Sequence, residues 1–173
     1  MQWREVEFDN RLWRIPPEKM KVRREHLVPL SDQAFEILVK QYDMPGIRLA
    51  QSPECDFVFP GRDGNKPFSD MSLGKAMRGL GISSDLIVPH GWRHTASSAI
   101  NERLFEVDGE KVRFSADAVE IQLAHSLKGV RGTYNSAEYL DERRQMLQAW
   151  ADWLDQIRIL ANGDQFGKKI ANT

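Results

Sequence analysis

An ammonium, imidazoles, a guanidinium and a phenol follow one another along this chain in an order that can cut a phosphodiester without a metal. Lys21 lies in a strand-like stretch, His90 and Arg93 stand three apart in His90-Gly91-Trp92-Arg93, and His125 precedes Tyr134 in one glycine-containing segment. Phosphoryl transfer asks a protein mainly for positioning and charge stabilisation. A guanidinium suits nonbridging phosphate oxygens because its planar fork is always charged. A free phenol has a pKa of about 10 and needs activation to attack at neutral pH. His94 makes an i, i+4 pair with His90, but Gly91 stands where a zinc helix carries its glutamate base. No metal and no other cofactor is expected. Gly74-Lys75 lacks the glycine and Ser/Thr context of a phosphate-binding loop.

These side chains need elements to carry them, and 41% apolar content over 173 residues is enough for one domain with a real core. Lys plus Arg number 24 against 25 Asp plus Glu, a formal net charge of −1. That balance does not announce a nucleic-acid binder, yet a basic face can coexist with an acidic far side. Cys55 is the only cysteine, so no internal disulfide can form. With no apolar run near the ~18 residues of a membrane helix and no signal-peptide pattern, a soluble cytoplasmic protein is expected.

Residues 3–30 read as strands: Glu5–Phe8 and Arg11–Ile15 alternate about a two-residue turn at Asp9-Asn10, and Val22–Leu30 supplies a third strand. Ser31, Ser69 and Ser115 stand where helices begin, and Pro89 precedes a helix running from about His90 to Leu104. Phe105–Phe114 reads as a hairpin about Asp108-Gly109. The last helix is expected from Asn135 or Ser136 to about Ala161, with Gly163 as its stop and Leu140, Leu147, Trp150, Leu154 and Ile157 as its apolar stripe. Trp150 and Trp153 read as core packing, and Arg143-Arg144 as a solvated face.

Taken in order, the words Leu12-Trp13-Arg14-Ile15-Pro16, Glu18-Lys19-Met20-Lys21, Val28-Pro29-Leu30-Ser31, His90-Gly91-Trp92-Arg93, Gln122-Leu123-Ala124-His125 and Tyr134-Asn135-Ser136-Ala137-Glu138-Tyr139-Leu140 resemble the catalytic domain of tyrosine recombinases of the phage and prophage integrase type. The resemblance spans roughly residues 3 to 155. It implies an α+β fold, mainly helical, with a small N-terminal antiparallel sheet. It implies site-specific DNA recombination through a 3′-phosphotyrosine intermediate, on double-stranded attachment sites and with other integrase protomers. No membrane and no small-molecule substrate are implied.

In that resemblance Tyr134 is the nucleophile, with Tyr139 as the rival phenol packed in the helix. Arg93 clamps the phosphate, His90 manages a proton, and His125 contacts the phosphate or its charge. Lys21 is the general acid for the leaving 5′-oxygen, with Lys19, on the same strand face, as its competitor. Arg23, Arg24 and His26 are candidates for contact with the DNA backbone. The pattern departs from the family at the start: a further catalytic arginine and its acidic companion belong upstream of the first strand. The expectation is therefore a partial catalytic domain over residues 1–163 and a flexible tail over 164–173. Losing a preorganised cation costs about 2.7–4 kcal/mol by analogy with an oxyanion donor, so the polypeptide alone is expected to be nearly inactive. The alternative is a DNA-binding or interaction remnant without catalysis. Phe105–Phe114 exceeds the family pattern and is expected to be a surface insertion.

Overall fold

The alternating N-terminal residues pair only in part as expected: Trp3–Glu5 form a 3₁₀ turn and the hairpin closes around a longer turn. A computed structural model describes residues 1–44, 56–61, 64, 66–125 and 139–171, with side chains as far as 162. Strands β1 (Val6–Glu7), β2 (Leu12–Ile15) and β3 (His26–Pro29) form an antiparallel sheet in that order. The last pair of the first hairpin is Glu7↔Leu12, so four residues turn the chain instead of two. Two side-chain attachments account for the wider turn. Phe8 packs against Trp3 and Phe35, and the Arg11 guanidinium pairs with Asp32 and covers the Phe35 ring. Arg11 takes a positive φ of 49°.

Pro16-Pro17 end β2, and Pro17–Lys19 form a single 3₁₀ turn. Lys21, Arg23 and Arg24 lie on the exposed turn that follows, not in a strand. The expected strand from Val22 begins only at His26, because Arg23 adopts a left-handed φ of 52° that breaks the extended run.

Helix α1 (Asp32–Asp43) starts at Ser31, whose Oγ accepts the Ala34 N–H. It places Leu38 against Trp3, Val6 and Val58. Helices α2 (Asp70–Gly79) and α3 (Gly91–Glu102) follow. Strands β4 (Phe105–Val107) and β5 (Glu110–Val112) pair across Asp108-Gly109, both at positive φ as a tight two-residue hairpin requires. The hairpin's ends are packed into the core: Phe105 and Phe114 are buried with Ile100, Ala118, Val119 and Met146, whereas residues 108–111 are exposed. Each aromatic buried there contributes about 1.5–3 kcal/mol, which anchors both ends of the hairpin.

Helix α4 (Ala116–Gln122) starts at Ser115, whose Oγ accepts the Ala118 N–H. Helix α5 (Leu140–Ala171) closes the core and continues through Gly163, so that glycine does not stop it. Asn135 and Ser136, the expected start, lie outside the described residues. Trp150 and Trp153 pack together, with Phe105 on Trp153 and Arg103 stacked over its ring. The inward face of α5 carries Arg143, Met146 and Ala149, whereas Leu154 and Ile157 are exposed. Of the expected stripe, Leu147 and Trp150 pack on the core, Leu140 is half-buried, and Leu154 and Ile157 are exposed. Arg143 is fully buried, which overturns its reading as a solvated face.

Candidate active site

The site is built on the carboxyl end of α4. Its last helical residue is Gln122, after which Ala124 takes a left-handed φ of 54°. The Ala124 N–H donates to Ile121 O at 2.8 Å and the His125 N–H donates to Glu120 O at 3.0 Å. These paired bonds are a Schellman closure, in which the residue after the cap turns left-handed and the next one points back at the helix. His125 is thus presented on a rigid helix end. Its Nδ1 lies 2.8 Å from Glu120 Oε2, and the carboxylate fixes both ring orientation and tautomer. With Nδ1–H donating to Glu120, Nε2 is left as an acceptor.

Arg93 meets that acceptor. It stands in the first turn of α3, and its Nη2 lies 3.3 Å from His125 Nε2. The same nitrogen donates to Leu123 O, a carbonyl left without an intrahelical partner at the α4 terminus. A cation at a helix C-terminus also complements the macrodipole. The guanidinium remains exposed, so its other N–H groups can reach an anion.

His90 is the N-cap of α3, one turn before Arg93, and its carbonyl accepts the Arg93 N–H at 3.1 Å. Its imidazole makes no cap bond. Gly91 between them leaves room for Ile87, whose Cγ1 a Cβ there would meet at 2.9 Å, so that one of the two must shift.

Lys21 and Lys19 are separated by their partners. Lys19 Nζ donates to the buried Glu5 carboxylate and to Gln2 Oε1. Glu5 also accepts from Trp13 Nε1 and the Gln2 N–H. Burial pushes its carboxyl up, but the bonds from Lys19, Trp13 and Gln2 outweigh that and hold it below its ordinary value. Lys21 is exposed and makes no hydrogen bond or ion pair among the described residues.

His26 is not a surface contact. It is 6% exposed at the start of β3, and burial, reinforced by the nearby Arg143 and Arg93 charges, pushes its pKa down to about 4. A neutral, enclosed imidazole has no face to offer a phosphate backbone, which corrects the sequence reading of this residue. Arg23 and Arg24 stay exposed on the turn beside Lys21. Tyr134 lies outside the described residues. Tyr139 is half-buried against the core, with its hydroxyl 3.4 Å from Asp117 Oδ2.

The structure thus brings Arg93 and His125 into contact, sets His90 one helical turn from Arg93, and leaves Lys21 on a separate turn. Sequence reasoning missed Glu120, Gln122 and Arg143. Arg143 carried one signal: it falls between Leu140 and Leu147 on the inward side of α5.

Fold and site together define an α+β domain, mainly helical, with an exposed arginine–histidine pair suited to an anion. The chain belongs to the phage integrase family: the model described as "Phage integrase family" matches residues 1–137. Prophage integrase IntZ of Escherichia coli (strain K12) is 42% identical over 163 residues, covering 94% of this chain and 36% of that protein. The integrase of Shigella phage Sf6 is 41% identical over 158 residues, covering 90% and 37%. The integrase of Enterobacteria phage P4 is 36% identical over 173 residues, covering 91% and 36%. The chain therefore spans a little over a third of the length of these relatives. No solved structure matches it.

Proposed function

We propose that this chain is the catalytic part of a site-specific DNA recombinase, cleaving and rejoining duplex attachment sites together with other protomers in the cytoplasm. The observation that carries this is the Arg93–His125 pair, held at a helix end with donors left for an anion. Tyr134 Oη attacks the scissile phosphorus, the bond to the 5′-oxygen breaks, and the strand is held as a 3′-phosphotyrosine. Arg93 stabilises charge on the nonbridging oxygens. His90 donates a hydrogen bond to the phosphate, and His125 Nε2 takes the phenol proton, which leaves an imidazolium beside the phosphate charge. Lys21 gives its proton to the departing 5′-oxygen. Attack by the 5′-hydroxyl of a partner strand reverses these steps, so no external energy source is needed. The engagement of Lys19 with Glu5 favours Lys21 as the acid. Arg23 and Arg24, beside it, contact the DNA backbone.

The test is an oligonucleotide duplex carrying a p-nitrophenyl ester on its 3′-phosphate, whose good leaving group removes the need for the lysine. In a protein that carries this chain together with the upstream arginine implied by the resemblance, a covalent adduct with release of nitrophenolate is expected, lost in Tyr134→Phe and unaffected by Lys21→Met. An adduct that survives Tyr134→Phe refutes the nucleophile. Salt-sensitive DNA binding without any adduct supports binding without catalysis.

A further inference from the structure

We infer that Arg143 is a positioning residue, whose buried guanidinium ties the end of α4 to β3 and so sets where Arg93 and His125 meet. This rests on the reading of that pair as the phosphate-handling centre. Arg143 is 0% exposed, a placement that arginine adopts only with partners. Its Nε and Nη2 donate to Gln122 Oε1 at 3.0 and 2.8 Å, and Nη2 donates also to Leu27 O of β3.

Gln122 is where these links converge. Its backbone also lies beside the His26 ring. The next carbonyl, Leu123 O, accepts from Arg93, and His125 follows two residues later, held by Glu120. Every second or adjacent residue of the segment that presents the site is thereby restrained. Arg143 acts through the Gln122 amide and the backbone beyond it. A planar fork reaches two acceptors on different elements, whereas a lysine ammonium is a point charge on a flexible stem. Arg143 also lies on the first described element after Tyr134, so the same node anchors the chain on both sides of the proposed nucleophile.

The experiment is NMR on the full chain, following the imidazole signals of its four histidines and the arginine Nε–H signals, with and without inorganic phosphate. In Arg143→Met the His125 and Arg93 signals are expected to move, and the phosphate response at His125 to weaken at least fivefold. Arg143→Lys should recover part of the response. If only the His26 signal moves, Arg143 serves core packing alone and the inference is overturned. Should Arg143→Met fail to fold, Gln122→Met removes the same link from the other side, and the same two outcomes decide. If phosphate perturbs neither Arg93 nor His125 in the wild type, the reading of the pair fails. The ring signals in the variants then still decide whether Arg143 positions them.

Discussion

Replacing Lys19 with methionine separates two roles of that lysine: neutralising a buried carboxylate and tethering the turn that carries Lys21. Removing one partner of a buried pair costs about 3–5 kcal/mol, and a surface pair is worth below about 1 kcal/mol. Here the side chains are 41% exposed for Lys19 and 6% for Glu5, so water screens one end of the pair. The bonds from Trp13 and Gln2 remain in the variant. The expected loss at pH 7 is on the order of 1–2 kcal/mol. Glu5 is held below its ordinary 4.5, so its stabilisation is present above that value and is lost as pH falls through the folded-state value. Urea denaturation of both proteins should thus give midpoints that differ at neutral pH and converge well below pH 4.5. A gap that persists unchanged at low pH would show that Lys19 stabilises by packing its stem. The ion-pair argument would also fail if a cycle with Glu5→Gln gave no coupling at pH 7.

Three further outcomes follow from other parts of the site. Ala124 is left-handed at φ 54°, which costs a non-glycine residue about 1–2 kcal/mol. Ala124→Gly relieves this but loses more chain entropy, for a net gain of roughly 0.5–1 kcal/mol in urea denaturation. Gly91→Ala drives a Cβ into Ile87 and should destabilise the fold by about 1–3 kcal/mol, with the His90 and Arg93 NMR signals displaced. His26 has its folded pKa lowered from 6.5 to about 4, so the unfolded chain binds the proton first as pH falls. Stability should decline through that window by on the order of 3 kcal/mol, and His26→Gln should flatten the decline when denaturation is repeated at each pH.

Local signals were legible because they act within a few residues. Ser31 and Ser115 cap helices through bonds to an N–H three positions on, and Asp108-Gly109 makes its hairpin with its own backbone. The ordered words around His90, Arg93 and His125 pointed to the integrase family. Where local reading failed, a distant partner had intervened. The Asp9-Asn10 turn widened because Arg11 reaches Asp32 and Phe8 reaches Phe35. The Lys21 segment left the strand at a backbone reversal that charge-rich composition does not encode.

By itself the sequence determined the family, the α+β class and most helix starts, since type and short-range spacing specify those. Tertiary structure alone decided that Arg143 and His26 are interior, that Lys19 is occupied while Lys21 stands exposed, and that Arg93 rests against His125. Burial and pairing of charges depend on what folds over them: Arg143 meets a carbonyl 116 positions away, and no window along the chain contains both.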